Sequence, residues 1–220
     1  MSARTEFDHE LEELHLDLIR MGGMIEAAID QSIQALEKRD NVLAEKVVAG
    51  DKDIDSLERD IEAKCLRLLL RQQPVAKDLR AVSTALKIIT DMERIGDQAA
   101  DIADVSLRFG DEPFLKAMEH IPLMASTASA MVKDSINAFV KSDVEASQEV
   151  IERDDEVDRL FETIKQDIIS VLVKTPNFAD QAVDFLIISK YLERIGDHAV
   201  NIAEWVIFYM TGEHKHRKIL

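Results

Sequence analysis

Apolar residues recur at every third or fourth position along most of this chain, a spacing that predicts amphipathic α-helices rather than strands. The first segment shows the pattern clearly, with apolar positions at Leu11, Leu14, Leu18, Met21, Ile25, Ile29, Ile33 and Leu36. Proline and glycine residues interrupt the pattern and indicate helix ends, because proline cannot continue a helix and disfavours a helical residue before it. We therefore predict six helices. They cover about residues 7–37, 40–72 and 75–109, then a fourth that begins between 114 and 122, a fifth from 142 to about 175 and a sixth from 179 to 209.

Three local signals refine these helices. Ser142, with Glu145 three residues later, predicts a capping box at the start of the fifth helix. The pair Gly22-Gly23 should weaken or bend the first helix, because glycine is a poor helix former. The basic segment 215–218 near the end of the sequence should fray.

The chain contains an internal repeat. The motif Glu93-Arg-Ile-Gly-Asp97 recurs as Glu193-Arg-Ile-Gly-Asp197, displaced by 100 residues. Acidic and apolar positions between 51 and 61 recur between 154 and 164, displaced by 103. Duplication of a three-helix unit explains both displacements. We therefore predict an all-α fold of two tandem three-helix bundles related by a pseudo-twofold repeat, at residues 1–110 and 111–212, followed by a basic tail at 213–220.

The composition is that of a helical and acidic protein. Hydrophobic residues make up 46% of the 220 residues and aromatic residues only 5%, which disfavours a compact β-rich fold. The net charge of −16 is shared equally by the two halves, so the surface should repel nucleic acid and anionic lipid. Cys65 alone cannot build a disulfide framework, and no apolar segment resembles a signal peptide or reaches the ~20 residues of a membrane span. We expect a cytoplasmic protein with no nucleic-acid partner and no membrane insertion.

Acidic residues gather on one face of the predicted third helix and on the helix before it. Glu93 and Asp97 are four residues apart and share a helix face, and the same is true of the second-helix pair formed by Asp51 and Asp55. If these helices form a hairpin, residues at the same level share a midpoint along the chain. The midpoint between Asp51 and Asp97 is Pro74, the predicted turn. Asp55 and Glu93 have the same midpoint, so the hairpin should bring four carboxylates to one level.

The second repeat has the same arrangement of acidic residues. The midpoint between Asp154 and Asp197 falls at the predicted turn between Thr175 and Pro176. Asp158 and Glu193 share that midpoint. A second set of four carboxylates is therefore predicted at one level of the second bundle.

Carboxylates at one level repel one another unless they are protonated or neutralised by cations. All-oxygen sites suit hard cations such as Mg²⁺, Ca²⁺, Mn²⁺ or iron. Gly96 and Gly196 are unusual inside helices and would allow close approach of a neighbouring helix or leave room for ions. The alternative is a solvated acidic face, the ordinary state of charged residues on a long helix. The predicted metal ligands are Asp51, Asp55, Glu93, Asp97 and Asp101 in the first bundle and Asp154, Asp158, Glu193, Asp197 and Asn201 in the second.

With the motif Glu-Arg-Ile-Gly-Asp in duplicate, the sequence resembles the PhoU family. The similarity extends over nearly the whole chain, including residues 21–24, 50–55, 73–74, 78–80, 88–103 and 187–204. The resemblance implies two three-helix bundles with multinuclear metal clusters held by paired (Glu/Asp)-xxx-Asp motifs, which match the carboxylates named above. The ion stays open among iron, zinc, Mg, Mn and Ca. The resemblance also implies a homodimer that regulates the phosphate regulon negatively, through contact with the ATPase subunit of a phosphate ABC transporter and with a membrane sensor histidine kinase.

Two other functions stay open from the sequence. A carboxylate-bridged metalloenzyme of the di-iron type usually carries Glu-xxx-His motifs. The residue three positions after Glu93 and Glu193 is glycine instead, and the sequence shows no Ser/His/Asp or Cys/His arrangement and no glycine-rich phosphate loop. A purely structural, oligomerising bundle with an acidic face is the other alternative. We expect a regulatory adaptor rather than an enzyme.

Overall fold

The computed structural model, which describes residues 3–72, 74, 77–110, 113–115, 119–214 and 217–218, is built from long helices. The described residues form α1 Ala3–Lys38, α2 Asn41–Gln72, α3 Lys77–Ser106, α4 Ile121–Lys141, α5 Val144–Lys174 and α6 Ala179–Thr211. A short 3₁₀ turn, Pro176–Phe178, lies between α5 and α6. The predicted all-α class is confirmed. Of the segment 215–218 predicted to fray, residues 215 and 216 lie outside the described residues, and β2 Arg217–Lys218 is not frayed, because it pairs antiparallel with β1 Glu213–His214.

The same local chemistry sets the boundary between the first two helices of each repeat. Asp40 and Asp143 each accept a hydrogen bond from a backbone N–H three residues later, at 2.9 and 3.0 Å, so they cap α2 and α5. The residue before each aspartate is left-handed, with φ of 53° at Arg39 and 57° at Ser142. The predicted capping box at Ser142 is therefore wrong, since Ser142 ends α4 and Asp143 supplies the side-chain cap.

Helices α1, α2 and α3 form one three-helix bundle, and α4, α5 and α6 form the other. The two bundles pack along α3 and α6, which run antiparallel. Lys87 lies over the ring of Trp205, whereas Arg108, further along α3, pairs with Asp184, nearer the start of α6. The two copies of the Glu-Arg-Ile-Gly-Asp motif consequently lie near the middle of the interface between the bundles.

Helix α1 continues through Gly22 and Gly23 without a break. Gly22 lies where α1 packs on α4, and a Cβ at this position would lie 2.7 Å from Cδ1 of Ile136, so a larger residue would displace the end of that side chain. A Cβ at Gly23 would meet no atom within 4 Å. The first glycine therefore serves the contact between the bundles rather than a bend.

Buried apolar residues from all six helices form one continuous core that runs through both bundles. Ile95 on α3 and Ile195 on α6 are both 0% exposed. Such burial of amphipathic helix faces supplies most of the stability of a helical bundle. Within the described part of the chain, none of the helices is long and apolar enough to cross a membrane.

The chain leaves α3 earlier than the sequence predicted, at Ser106 rather than at Phe109. Phe109 instead packs on Phe114 and Phe185, with ring centroids 5.6 and 4.8 Å away. Leu115, on the same connecting segment, is also buried. Aromatic packing between the repeats therefore overrides the helical spacing that predicted a longer α3.

Candidate metal centre

The hairpin formed by α2 and α3 brings acidic side chains together at the level that its register predicts. One carboxylate oxygen from each of Asp51, Asp55 and Asp97 lies within 4.8 Å of the other two. Glu93 lies one turn before Asp97 on α3, and partial burial, followed by the charges of Asp97 and Asp55, raises its pKa. We call these four residues the first acidic cluster.

The electrostatics of the first acidic cluster are dominated by burial and mutual repulsion. Partial burial, followed by the charges of Asp97 and Asp55, raises the pKa of Asp51 from 3.8 to about 6. Partial burial, followed by the charges of Asp55 and Asp101, raises the pKa of Asp97. A raised carboxylate pKa is expected where carboxylates are held close together without enough positive charge to neutralise them.

One carboxylate oxygen of the cluster is an unsatisfied hydrogen-bond acceptor. Oδ1 of Asp51 is shielded from solvent, and no N–H or hydroxyl group of the described residues donates a hydrogen bond to it. Buried carboxylate oxygens are normally hydrogen-bonded or bound to a cation, because an unpaired buried charge is costly. Asp51, Asp55 and Asp97 also offer carboxylate oxygens that lie close together, the donors that hard cations prefer. The residues of the first acidic cluster therefore fit a metal ion.

Glycine at the centre of each motif allows the helices to approach this closely. A Cβ at Gly96 would lie 3.1 Å from two side-chain carbons of Ile54 and 3.5 Å from Oδ1 of Asp51. A Cβ at Gly196 would lie 3.0 Å from Oδ1 of Asp154. The predicted close approach at these glycines is confirmed, and it offsets the ~1 kcal/mol by which glycine disfavours a helix.

The hairpin formed by α5 and α6 places Asp154, Asp158, Glu193 and Asp197 at equivalent positions, and we call them the second acidic cluster. Partial burial, followed by the charges of Asp158 and Asp197, raises the pKa of Asp154 to about 6. The second cluster has a lysine at its edge where the first has none, because the ammonium group of the exposed Lys190 donates a hydrogen bond to Glu193. Among the described residues, Asp51, Asp55 and Asp97 alone bring three ligand atoms within 4.8 Å of one another.

The residues one turn beyond the two motifs differ in their contacts. Burial and then the charge and hydrogen bonding of Asp101 raise the pKa of Tyr191, so these two side chains meet across α3 and α6. The side-chain amide of Asn201 donates to Oδ1 of Asp91 at 3.3 Å. The same carboxylate oxygen lies 2.8 Å from Nδ1 of the buried His198. Asn201 is therefore tied to the interface between the bundles through its amide nitrogen, and only its amide oxygen is available to extend the second cluster.

Three residues that shape these clusters were not predicted from the sequence: Lys190, Asp91 and Tyr191. A signal for Lys190 exists, because it precedes Glu193 by three residues and side chains at this spacing meet on a helix. Asp91 and Tyr191 act across the packing of α3 on α6, which no local pattern reveals.

Comparison with known proteins identifies the family. The PhoU domain is matched twice, over residues 18–106 and 121–206. The chain belongs to the PhoU family. The phosphate-specific transport system accessory protein PhoU homolog of Clostridium acetobutylicum is 40% identical over 211 residues, 96% of each chain. Among solved structures, PhoU from Pseudomonas aeruginosa matches with a TM-score of 0.89 and 33% identity, over 94% of this chain and 100% of that one. The phosphate transport system regulatory protein PhoU from Streptococcus pneumoniae also reaches 0.89, at 27% identity, over 94% of this chain and 98% of that one.

The two matched PhoU domains agree with the tandem repeat seen in the fold. The first domain contains the first acidic cluster and the second domain contains the second, each formed by the last two helices of its bundle. The internal duplication predicted from the sequence is thus a repetition of the PhoU domain.

Proposed function

We propose that this protein regulates phosphate uptake and phosphate-starvation signalling as an accessory protein of a phosphate-specific transport system. The observation that carries the proposal is its 40% identity, over 96% of both chains, to a relative named as a phosphate-specific transport system accessory protein. The structural match to a protein named as a phosphate transport system regulatory protein supports it. The regulation is negative, so the protein keeps the phosphate regulon silent while phosphate is plentiful.

In this role the protein is a cytoplasmic adaptor and a homodimer. Its partners are the ATPase subunit of the phosphate ABC transporter and the membrane sensor histidine kinase. Large apolar side chains exposed at the ends of helices support a docking function, since such residues mark contact surfaces when they cluster. Leu66 and Leu70, one turn apart at the end of α2, are 47% and 80% exposed, and Ile169 and Val173, at the equivalent positions of α5, are 49% and 79% exposed.

The acidic clusters hold metal ions in this proposal. Asp51, Asp55, Glu93 and Asp97 supply the ligands in the first repeat, extended by Asp101. The equivalent carboxylates supply them in the second, extended by the amide oxygen of Asn201. Ions of iron, zinc, Mg, Mn and Ca can all be coordinated by carboxylate oxygens. The ions tie the helices of each hairpin together and set the charge of the surface that partners meet, and they take no part in a chemical reaction.

A reporter under control of the phosphate regulon tests the proposed regulation. In a strain from which the protein's own gene has been deleted, the reporter should stay active in high phosphate, and the wild-type protein should silence it. The variant Asp51→Asn/Asp97→Asn should silence it less well, whereas Asp53→Asn, on the exposed side of α2, should behave as wild type. A reporter that is silent in high phosphate without the gene would contradict the proposal.

Binding to the purified ATPase subunit, measured by calorimetry, tests the adaptor role. Leu70→Glu should weaken binding, because it places a charge in an apolar contact. Val42→Glu is the matched control, since Val42 is also on α2 and is 78% exposed, but lies at the opposite end of the helix. Equal binding by both variants would remove the end of α2 from the docking surface, and no binding by the wild-type protein would contradict the adaptor role.

A further inference from the structure

The two acidic clusters have the same motif but different neighbours. Helix α5 repeats α2 with a displacement of 103, and α6 repeats α3 with a displacement of 100. Three positions beside the motif change from acidic or neutral in the first repeat to apolar or basic in the second. They are Glu58 and Phe161, Glu62 and Lys165, and Thr90 and Lys190. The first cluster therefore has Glu58 and Glu62 beside it where the second has Phe161 and Lys165, although Arg59 changes in the opposite sense, to Glu162.

Lys190 lies at the edge of the second cluster, with a side chain that is 52% exposed, and makes two contacts there. Its ammonium group donates a hydrogen bond to Oε2 of Glu193, and it lies 5.4 Å from the centre of the Phe161 ring. A cation over an aromatic face is stabilised by the ring. Lys190 also opposes the rise in the pKa of Asp197 that burial and Glu193 cause. The second cluster thus contains its own counterion.

No lysine takes this place in the first cluster. Thr90 occupies the position of Lys190, and its hydroxyl donates to the backbone carbonyl of Leu86. Glu58 stands where Phe161 would be, and its charge contributes to the raised pKa of Glu93. Arg59 does pair with Asp55, but at 4.0 Å and from a side chain that is 65% exposed, where an ion pair contributes little. The exposed Arg94 also opposes the rise in the pKa of Glu93 and Asp97, but it recurs as Arg194 beside the second motif, so the difference between the clusters is Lys190.

We propose that Lys190 is an internal counterion of the second acidic cluster, so that the first cluster binds divalent cations before the second and more tightly. This inference rests on the metal binding proposed above. A cation entering the second cluster must share Glu193 with a lysine or displace it, and it meets an ammonium charge a few ångströms away. A cation entering the first cluster meets carboxylates and two exposed guanidinium groups, those of Arg59 and Arg94, and it meets no lysine at the position of Lys190. The two PhoU repeats of this chain are then unequal in function.

Titration of the metal-free full-length protein with Mn²⁺ tests the proposal, with unbound Mn²⁺ measured by electron paramagnetic resonance. The wild-type protein should show a tight and a weak class of sites. Asp51→Asn/Asp97→Asn should remove the tight class, which assigns it to the first cluster. Lys190→Thr, which copies Thr90, should tighten the weak class at least about tenfold, and the reciprocal Thr90→Lys should weaken the tight class by a similar factor.

The matched control is Lys133→Thr, which removes a lysine that pairs with Glu26 away from both clusters. It should leave both classes unchanged, and circular dichroism should show that every variant is folded. Sites of equal affinity, absence of Mn²⁺ binding, or an unchanged weak class in Lys190→Thr would each overturn the proposal. The reporter assay is independent of this titration, so a failure here and a failure of the proposed regulation can be told apart.

Discussion

Replacing Asp51 with asparagine should stabilise the metal-free protein and destabilise the metal-loaded one. The carboxylate of Asp51 is partly buried among like charges, and its oxygen Oδ1 has no donor among the described residues. Asparagine keeps the shape of the side chain, removes the repelling charge and supplies an N–H₂ group that can donate to a neighbouring carboxylate. The same change removes a negatively charged ligand, so any cation held by the cluster must bind less tightly.

The magnitude follows from the raised pKa of Asp51. A shift from 3.8 to about 6 is just over two pKa units, and at 1.36 kcal/mol per unit the ceiling is about 3 kcal/mol. Because the carboxylate is only partly buried, solvent screens much of the repulsion, and we expect about 1 kcal/mol at neutral pH. The folded pKa lies above the unfolded one, so the folded state binds more protons between pH 4 and 6 and loses stability as the pH rises through that window. The stabilisation by asparagine should therefore vanish near pH 4 and be complete above pH 6.

Urea denaturation followed by far-ultraviolet circular dichroism measures this effect. Wild type and Asp51→Asn are compared from pH 4 to 7.5 after metal removal, and then at pH 7.5 with saturating Mn²⁺. The metal should stabilise the wild-type protein more than the variant, so the order of the two free energies of unfolding should reverse. Asp53→Asn removes an equal charge from an exposed position two residues away and should change neither free energy by more than about 0.5 kcal/mol.

Two results would refute this reasoning. If Asp51→Asn destabilised the metal-free protein at pH 7.5, the carboxylate would be stabilising and the repulsion argument would be wrong. If Mn²⁺ stabilised both proteins equally, Asp51 would not be a ligand.

The remaining predictions concern the helix glycines and the cap of α5. Gly196→Ala should lower the free energy of unfolding by about 1–3 kcal/mol, because the new Cβ would lie 3.0 Å from Oδ1 of Asp154. Gly23→Ala should raise it by roughly 0.5–1 kcal/mol, since no atom lies within 4 Å of the new Cβ. Thermal unfolding of the two variants tests this contrast, and equal effects would contradict it. Asp143→Ala should cost about 1 kcal/mol by removing the cap of α5. Ser142→Gly should instead be neutral or stabilising, because the φ of 57° at this position suits glycine. A loss of free energy of unfolding as large as that of Asp143→Ala would show that Ser142 caps α5.

The sequence could predict which acidic residues lie opposite one another in each helix hairpin, because this depends only on helical spacing and on the position of the turn. A proline-marked turn and helical spacing are enough to place Asp51 beside Asp97 once the two helices form a hairpin. Duplication of the pattern strengthened that prediction, since two unrelated acidic faces would not share both motif and register. The same logic supported the close approach at Gly96 and Gly196.

Other features depend on information that is not local. The sequence predicts the cap of α5 one residue too early, because serine and aspartate are both good caps and only the left-handed backbone at Ser142 distinguishes them. Phe109 is not part of α3 because its ring packs on those of Phe114 and Phe185 instead. The contact of Asp91 with His198 requires α3 and α6 to be packed antiparallel, which only the assembled bundles show.

Elemental mass spectrometry of protein purified without a chelator or an affinity tag would decide whether the first acidic cluster holds a metal. The wild-type protein and Asp53→Asn should contain a stoichiometric divalent or trivalent metal, and Asp51→Asn/Asp97→Asn should lose most of it. Wild-type protein without metal, or a double variant that retains the full amount, would contradict the claim that the first acidic cluster is a metal site.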